Sequence, residues 1–471
     1  MNVSELHRLI RQLAEKLRYS ETTSTSVTQL IHLNGNQFFT TNNYSSKAIQ
    51  STHRSSLNEP EYLMSHLTTN MRTIIHLDIN SCFASCEQQD HPDWRGKPLG
   101  VVQDSGKRSV IISSSIEAKM MGVATGCPIW EAKRLCPSII LTPARFARYA
   151  HYSRLFRQIC HHYSDQVEVF SIDELFIDIT DTHHLFGGPI HIAYELKYRL
   201  RIEVGDWLRV SIGIAPNKML AKLASGSQKP DGLVVVDPKK RLEFLDIHPL
   251  WHICGIGSRI EARLHRLGIY TIKQLRQAPV AALEREFGVL GRVYWQWGWG
   301  EDYDPVAKAG EVPPDKSYGN QMTLPADTKS ESETKTILLW LCWQVAARLR
   351  SHGASARVVW LGLRHADSWA GAQKATPSAT TAYDLYRTTC YIYQQKLKWD
   401  GPIRFAAVGA GHLTSSKNIT LPLDPWEQKQ AQIATAWDKI SDRYGVFTLR
   451  PASLTGKNLK QAILNGFSKK F

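Results

Sequence analysis

The most constraining feature of this chain is the segment Ser171-Ile172-Asp173-Glu174, which lies between two apolar runs. Residues 167–170 precede it and residues 175–179 follow it, and two such runs around a short polar turn predict a β-hairpin. Two adjacent carboxylates repel each other, so a packed core gains nothing from them. A divalent cation bound at the turn would cancel that repulsion, and such a binding site would explain why two acids are adjacent in the sequence.

A third carboxylate, Asp78, stands at the end of another apolar run, residues 73–77. Ligand chemistry in sheets of this kind collects at strand ends. Three carboxylates on neighbouring strand ends can hold two Mg²⁺ ions about 3.5–4 Å apart, the arrangement used for in-line phosphoryl displacement. Taken singly, each acid is better explained as a solvated turn residue; the combination favours a metal site.

The chain has 471 residues, and Lys plus Arg exceed Asp plus Glu by 57 − 43 = 14. A basic chain of this length suits several domains and a polyanionic partner, although charge alone is equally consistent with a basic protein that has none. The eight cysteines form no C-x-x-C pair, which argues against zinc and for reduced thiols. No apolar run approaches the length of a membrane span or a signal peptide. We expect a cytoplasmic protein without membrane contact, or a nuclear one in a eukaryote.

The motifs, taken together, resemble those of the Y-family (translesion) DNA polymerases, close to the bacterial DNA polymerase IV group. The resemblance covers roughly residues 72–445, and its segments occur in the order and spacing of the family. They are residues 74–87, 115–123, 171–174, 211–218 with 221–222, 229–232 and 254–257.

The resemblance implies an α+β multidomain fold with a ferredoxin-like palm, small fingers, a helical thumb with a helix-hairpin-helix, and an α/β little-finger domain. The implied segments are a flexible N-terminal extension (1–70), the palm (71–238) with the fingers inserted at about 89–147, the thumb (239–300), a linker (301–316), the little finger with a C-terminal helix (317–445), and a tail (446–471).

Local patterns agree with parts of this layout. Leu6, Ile10, Leu13 and Leu17 predict a short helix ahead of a Ser/Thr/Asn-rich stretch. Ser258 followed by Glu261 predicts a capping box at a helix that Gly268 ends. Residues 338–349 predict an amphipathic helix, and 357–364 predict a strand.

Site residues follow from the resemblance. Asp78 and Asp173 would bridge two Mg²⁺ ions, with Mn²⁺ as a substitute, while Glu174 and the carbonyl of Ile79 would complete the two metal sites. Phe83 stands where the family places an aromatic steric gate, whose ring collides with a ribose 2′ hydroxyl. The alternative for Phe83 is an ordinary core phenylalanine.

Nucleotide contacts depart from the family pattern at two positions. Lys229 matches a lysine that reaches the triphosphate, and Ser113 would offer a hydroxyl. Lys119 replaces the usual Arg and cannot form a planar bidentate contact, while Ile116 replaces a Tyr and has no hydroxyl. These departures bear on the affinity for the nucleotide and not on the type of reaction.

DNA contacts are expected from the thumb and the little finger. Gly255 and Gly257 form a G-x-G turn before a helix, whose free N–H groups suit a phosphate. Arg357 and Arg364 are candidate phosphate contacts on the little finger, with Arg348, Arg350 and Arg404 as further ones. Residues 419–423 stand where relatives carry a sliding-clamp motif, but they lack its usual ends, so ordinary packing is the better interpretation. A monomer is expected.

The function predicted is DNA-directed, low-fidelity translesion synthesis with deoxynucleoside triphosphates on a primer–template. Two alternatives remain open at this point. One is a catalytically weak or inactive accessory factor bound to DNA, which Ile116 and Lys119 leave open. The other is a nucleotidyl cyclase, which can use a related sheet with two metal-binding acids.

Overall fold

The computed structural model describes residues 72–103, 108–308, 310–311, 314–366, 368–416, 424–445 and 448–454. The predicted N-terminal helix and flexible extension lie outside the described residues. So do the segment 419–423 and most of the C-terminal tail.

The first part of the described chain contains both strands and helices. In order they are β1 (Ile74–Ile79), α1 (Cys82–Asp90), β2 (Leu99–Val102), β3 (Ile111–Ser114), α2 (Ile116–Met120), α3 (Ile129–Leu135), β4 (Ile140–Pro143), α4 (Phe146–Cys160), β5 (Val167–Val169), β6 (Glu174–Asp178), α5 (Pro189–Arg199), β7 (Val210–Ala215), α6 (Lys218–Ser227) and β8 (Leu233–Val235).

Five of these strands form one sheet in the order β5-β6-β1-β7-β8. The strand β1 pairs antiparallel with β6 and β7, and β8 joins parallel to β7. The βαββαβ succession β1-α4-β5-β6-α5-β7 with this strand order is the ferredoxin-like arrangement. All six residues of β1 are buried, because helices cover both faces of the sheet. This explains the uninterrupted apolar run before Asp78.

Helix α6 packs unusually close to the sheet. A Cβ at Gly213 of β7 would lie 2.1 Å from the carbonyl oxygen of Ala221 on α6. Glycine is therefore required at this position for the helix to approach the strand. The approach matters because α6 carries Lys222 toward the carboxylates.

A second, smaller sheet has the order β3-β2-β4 and is accompanied by α2 and α3. The strand β2 pairs antiparallel with β3 and parallel with β4. This unit has its own apolar cluster, which includes Val102, Ala118 and Ala132.

Helices dominate the next part of the chain. They are α7 (Arg241–Asp246), α8 (Ser258–Arg266), α9 (Ile272–Gln277), α10 (Val280–Phe287) and α11 (Val289–Gly298). Their buried side chains, such as Leu245, Leu264 and Leu283, share one core with Phe176 and Leu220 of the five-stranded sheet and α6. The helical region is thus anchored on the sheet face that α6 occupies.

The predicted capping box at Ser258 is wrong. Ser258 is the first residue of α8, and the N-cap is Gly257, which has no side chain to form a cap. The extended backbone of Gly257 begins the helix one residue earlier than the pattern suggested, and its carbonyl accepts from the N–H of Glu261. Gly268, at φ +77°, ends the helix as predicted.

The last part of the described chain contains β9 (Ser317–Thr328), α12 (Glu331–Ser351), β10 (Ala354–His365), β11 (Ser368–Ala379), α13 (Ala382–Tyr391), β12 (Ile403–Ser415) and α14 (Pro425–Tyr444). Its antiparallel sheet has the order β11-β10-β12-β9. The element order is again βαββαβ, but β9 lies at the edge, so the topology differs from that of the first sheet. The predicted apolar face of α12 is buried, with Leu338, Leu341 and Val345 in this core.

The predicted fold class is confirmed, since the chain is mixed α+β with several sheets and a helical region between them. In the part of the chain that the structure describes, none of the helices combines the length and apolar character needed to cross a bilayer.

Candidate active site

Strand pairing brings two of the three carboxylates face to face. Asp78 near the end of β1 is the direct partner of Glu174, the first residue of β6. Asp173 precedes Glu174 in the hairpin turn, and its carbonyl oxygen accepts a hydrogen bond from the backbone N–H of Ile79 at 3.0 Å. The register between the two strands therefore assembles Asp78, Ile79, Asp173 and Glu174 at one edge of the sheet.

The proximity of the acids affects the pKa values of Asp78 and Asp173. Burial raises the pKa of Asp78, the neighbouring Glu174 carboxylate adds to the rise and Lys229 opposes it, so that the resulting pKa is about 6. Burial likewise raises the pKa of Asp173, with the charge of Glu174 adding to the effect. Negative charge is thus costly here unless a cation compensates it.

Two lysines and one hydroxyl currently contact the carboxylates. Lys229 Nζ donates to Asp78 Oδ1 at 2.7 Å, and Lys222 Nζ donates to Glu174 Oε1 at 2.6 Å. Ser171 Oγ donates to Asp173 Oδ1 at 2.6 Å. Sequence reasoning did not assign a role to Lys222. Its signal was the helical segment after Asn217, which places a lysine on the face of α6 nearest the hairpin.

The fit of these residues to a divalent cation follows from donor chemistry. The site offers carboxylate and carbonyl oxygens, the ligands that Mg²⁺ and Mn²⁺ prefer. Raised pKa values mark a place where a cation would relieve repulsion. Within the described residues, no group of three or more His, Cys, Asp or Glu side chains is already arranged to hold a metal ion. Asp78 and Glu174 each contact a lysine instead.

Lys119 reaches the same region from the small sheet unit. Its Nζ donates to Ser81 Oγ at 2.8 Å. Burial lowers the pKa of Lys119, the charge of Lys229 lowers it further, and the charges of Asp78 and Asp173 act in the opposite direction. The ammonium group is therefore within electrostatic range of both acids and of the second lysine.

Ser113 lies at the end of β3, beside the start of α1. Its hydroxyl accepts from the N–H of Ala84 at 3.3 Å and donates to the carbonyl of Ser81 at 3.4 Å. These contacts tie the small sheet to the loop after β1. Ile116 is the first residue of the short helix α2 and is partly exposed.

Phe83 is partly buried on α1, one turn after the end of β1. Its ring stacks on Tyr149 with centroids 4.4 Å apart and an interplanar angle of 12°. The ring of Phe146 meets it edge-on at 5.9 Å. The side chain is thus fixed against α4, five residues after Asp78 in the chain.

Asn80 is a second residue whose importance the sequence did not reveal. It is buried, and its Oδ1 accepts from the backbone N–H of Asp231 at 2.7 Å. Its Nδ2 donates to Ser211 Oγ at 3.0 Å. The side chain therefore joins β1, β7 and the turn that carries Lys229.

The predicted DNA-contact residues lie on other elements. Gly255 (φ +105°) and Gly257 form an exposed turn before α8, with Ile256 buried between them. Arg357 and Arg364 are exposed on β10.

Two of the further candidate arginines pair with carboxylates of the same domain. Arg350 pairs with Asp438, and Arg404 pairs with Asp327. Arg348 donates to the carbonyl of Gly319 at 3.0 Å.

Comparison with known proteins agrees with this architecture. Two family models match, the impB/mucB/samB family over residues 77–226 and the impB/mucB/samB family C-terminal domain over residues 315–423. The chain is 36% identical over 387 residues to DNA polymerase IV of Pelotomaculum thermopropionicum, covering 81% of this chain and 95% of that protein. It is 35% identical over 393 residues to DNA polymerase IV of Moorella thermoacetica, covering 82% and 96%.

A solved structure, a Y-family DNA polymerase chimera, matches 74% of this chain and all of its own with a TM-score of 0.63 and 25% identity. The fold and these matches are those of a template-directed nucleotidyltransferase. The chain belongs to the Y-family of DNA polymerases, the impB/mucB/samB family. Members act on a DNA template with nucleotide substrates and generally depend on a divalent metal.

Proposed function

We propose that this enzyme extends a primer 3′ end on damaged template DNA, using Asp78, Asp173 and Glu174 as the catalytic carboxylates. The observation that carries the proposal is the pairing of Asp78 with Glu174 across β1 and β6, beside Asp173, in a chain of this family. Family membership supports DNA-directed DNA polymerase activity and translesion synthesis.

Two Mg²⁺ ions, held by the three carboxylates and the Ile79 carbonyl, would supply acidification of the primer hydroxyl and neutralisation of phosphate charge. Mn²⁺ has the same ligand preference and would substitute. Lys222 and Lys229 keep Glu174 and Asp78 extended toward this edge until the substrates bind.

Nucleotide binding is assigned to Lys229, Lys119, Ser113 and Phe83. The two lysines place positive charge where the triphosphate would lie, and Lys119 does so as a point charge without the bidentate geometry of an arginine. Phe83 presents a flat ring beneath the sugar and so favours deoxyribose over ribose.

Duplex binding is assigned to the two later domains, without reading of base sequence. Gly255 and Gly257 would present backbone N–H groups to one phosphate, and Arg357 and Arg364 would contact others. We keep the proposed segments: palm 71–238 with fingers at about 89–147, thumb 239–300, linker 301–316 and little finger 317–445. A monomer in the cytoplasm completes the proposal, and nothing supports a clamp contact.

Neither alternative function is favoured. The accessory-factor interpretation rested on Lys119 and Ile116, but the ammonium group of Lys119 lies within electrostatic range of both aspartates. The cyclase interpretation does not account for the match of the C-terminal family model at residues 315–423.

Primer extension tests the proposal. Wild type, Asp173→Ala/Glu174→Ala and the control Asp165→Ala, an exposed acid before β5, are compared on undamaged and abasic templates with Mg²⁺. We expect extension by wild type and control, some of it past the abasic site, and loss of several orders of magnitude in the double variant. A folded, DNA-binding wild type that adds no nucleotide would refute the proposal.

A further inference from the structure

The ring of Phe83 is supported on two sides by one helix. Tyr149 of α4 lies parallel behind it at 4.4 Å, and Phe146 of α4 meets it edge-on. Tyr149 and Phe146 are three residues apart, so they share a face of the helix. A steric gate discriminates only if it cannot move away from the group it excludes. What holds the ring therefore matters as much as the ring.

Tyr149 itself is held rigidly. It is fully buried, and its hydroxyl donates to Glu87 Oε1 at 2.6 Å. Glu87, also fully buried, stands on α1 four residues after Phe83, and Arg145 contacts both of its oxygens, donating from Nη2 to Oε2 at 2.6 Å and from Nε to Oε1 at 2.9 Å. Arg145 is exposed, but Glu87 and Tyr149 are buried, so the loss of a partner would leave a buried polar group unsatisfied and the network resists rearrangement.

We propose that Tyr149 is a positioning residue for sugar selection, which holds the Phe83 ring in place through the stack while the Glu87–Arg145 pair holds Tyr149. The inference rests on the proposed function and adds a residue that determines its specificity. With the stack intact, a ribose 2′ hydroxyl meets a ring that cannot yield. Without it, the ring tilts into the space behind and admits the ribonucleotide.

The same helix provides a matched control. Tyr152, three residues further along α4, is also buried, and its hydroxyl donates to Asp90 of α1 at 2.5 Å. Its ring lies against Arg148 and His151. Replacing Tyr152 therefore removes a buried ring and a tyrosine–carboxylate bond between the same two helices, while both rings of the Phe83–Tyr149 stack remain in the chain. Asp90 keeps its pairs with Arg145 and Arg148 in this control.

The experiment measures kcat/KM for the deoxy- and ribonucleoside triphosphates opposite one template base, and takes the ratio as discrimination. An aromatic stack contributes enough that Tyr149→Leu should lower discrimination by about three- to tenfold. Tyr149→Phe keeps the ring and should restore most of it, and Tyr152→Leu should keep the wild-type ratio. Phe83→Ala should lower discrimination further, and Phe83→Ala/Tyr149→Leu no further than Phe83→Ala alone, because Tyr149 acts through Phe83.

Retained discrimination in a Tyr149→Leu enzyme that still extends with deoxynucleotides would overturn the inference. So would an equal loss in Tyr152→Leu, or additive losses in the double variant. If Tyr149→Leu does not fold, Tyr149→Met fills the volume without a planar ring and is judged by the same criteria. A wild type that incorporates no deoxynucleotide refutes the proposed function itself, and this inference with it.

Discussion

Charge balance at single residues decides what the active site can bind. The pKa values of Asp78 and Asp173 are raised, because burial and the nearby Glu174 disfavour negative charge. Lys229 and Lys222 compensate part of this cost through direct contacts. We expect such a site to bind cations, and protons to compete with them for the carboxylates.

The titration of Asp78 makes the first prediction. Its pKa is about 6 in the fold and 3.8 ordinarily, so the folded protein binds this proton more tightly than the unfolded chain does. The stabilising contribution is full below about pH 4 and is lost as pH rises through about 6. We expect Asp78→Asn to raise the metal-free stability at pH 8 by up to about 3 kcal/mol, with little effect near pH 4.

Thermal unfolding at the two pH values measures this difference, with Asp165→Asn as an exposed control. Mg²⁺ should stabilise the wild type at pH 8 and lose that effect in Asp78→Asn. Equal effects of Asp78→Asn at both pH values, or destabilisation at pH 8, would contradict the assignment of a costly charge.

The connections between elements carry backbone conformations that fix the site. Ser81 (φ +49°) lies where the chain turns from β1 into α1. Asp231 (φ +56°) lies two residues after Lys229. Both are left-handed conformations in non-glycine residues, which persist where surrounding contacts impose them. Asn80 supplies such a contact, since it precedes Ser81 and accepts from the N–H of Asp231.

Replacement of Asn80 tests the role of these connections. Asn80→Ala removes the acceptor for Asp231, and we expect Lys229 to lose its position over Asp78. Because small misplacements of a positioning group are costly, kcat/KM for nucleotide should fall by about tenfold or more. Asn80→Asp keeps the acceptor oxygen and should retain most of the activity. Nucleotide titrations measure both, and a wild-type kcat/KM in Asn80→Ala would rule out this role.

At the scale of the whole molecule, one carboxylate joins the small sheet unit to the C-terminal domain. Arg108, between β2 and β3, donates to Asp327 Oδ1 at 2.7 Å and to the carbonyl of Leu324 at 3.0 Å. Asp327 also accepts from Arg404 and contacts His365 of its own domain. The partners within the domain orient the carboxylate toward Arg108.

This bridge is partly exposed, so its expected strength is small. Exposed ion pairs contribute little to stability and are screened by salt. Arg108→Ala should favour separation of the small sheet unit from the C-terminal domain in the DNA-free molecule. The population of separated molecules should rise by no more than about fivefold at low salt. Distance measurement between a fluorophore pair on the two domains reports the shift. Arg95→Ala breaks an exposed pair with Asp206, and neither residue lies in the C-terminal domain, so this variant should leave the distance unchanged. An equal change in Arg95→Ala would contradict the bridge.

Sequence alone predicted what depends on neighbouring residues. The acidic hairpin, the strand before Asp78, the amphipathic face of α12 and the helix end at Gly268 follow from local periodicity and turn chemistry. The predicted capping box at Ser258 is wrong because the N-cap of α8 is Gly257, so Ser258 is already the first helical residue. Family membership was also readable, since it depends on the order of segments.

Tertiary structure decided which distant residues meet. Pairing of Asp78 with Glu174 is a matter of register between strands almost a hundred residues apart in sequence. The roles of Lys222, Asn80 and Tyr149 likewise depend on the packing of α6, the turn before β8 and α4. The sequence shows which residues have the chemistry needed at the site. Their mutual distances arise only when apolar burial brings the elements together, because a local pattern contains no information about its partner.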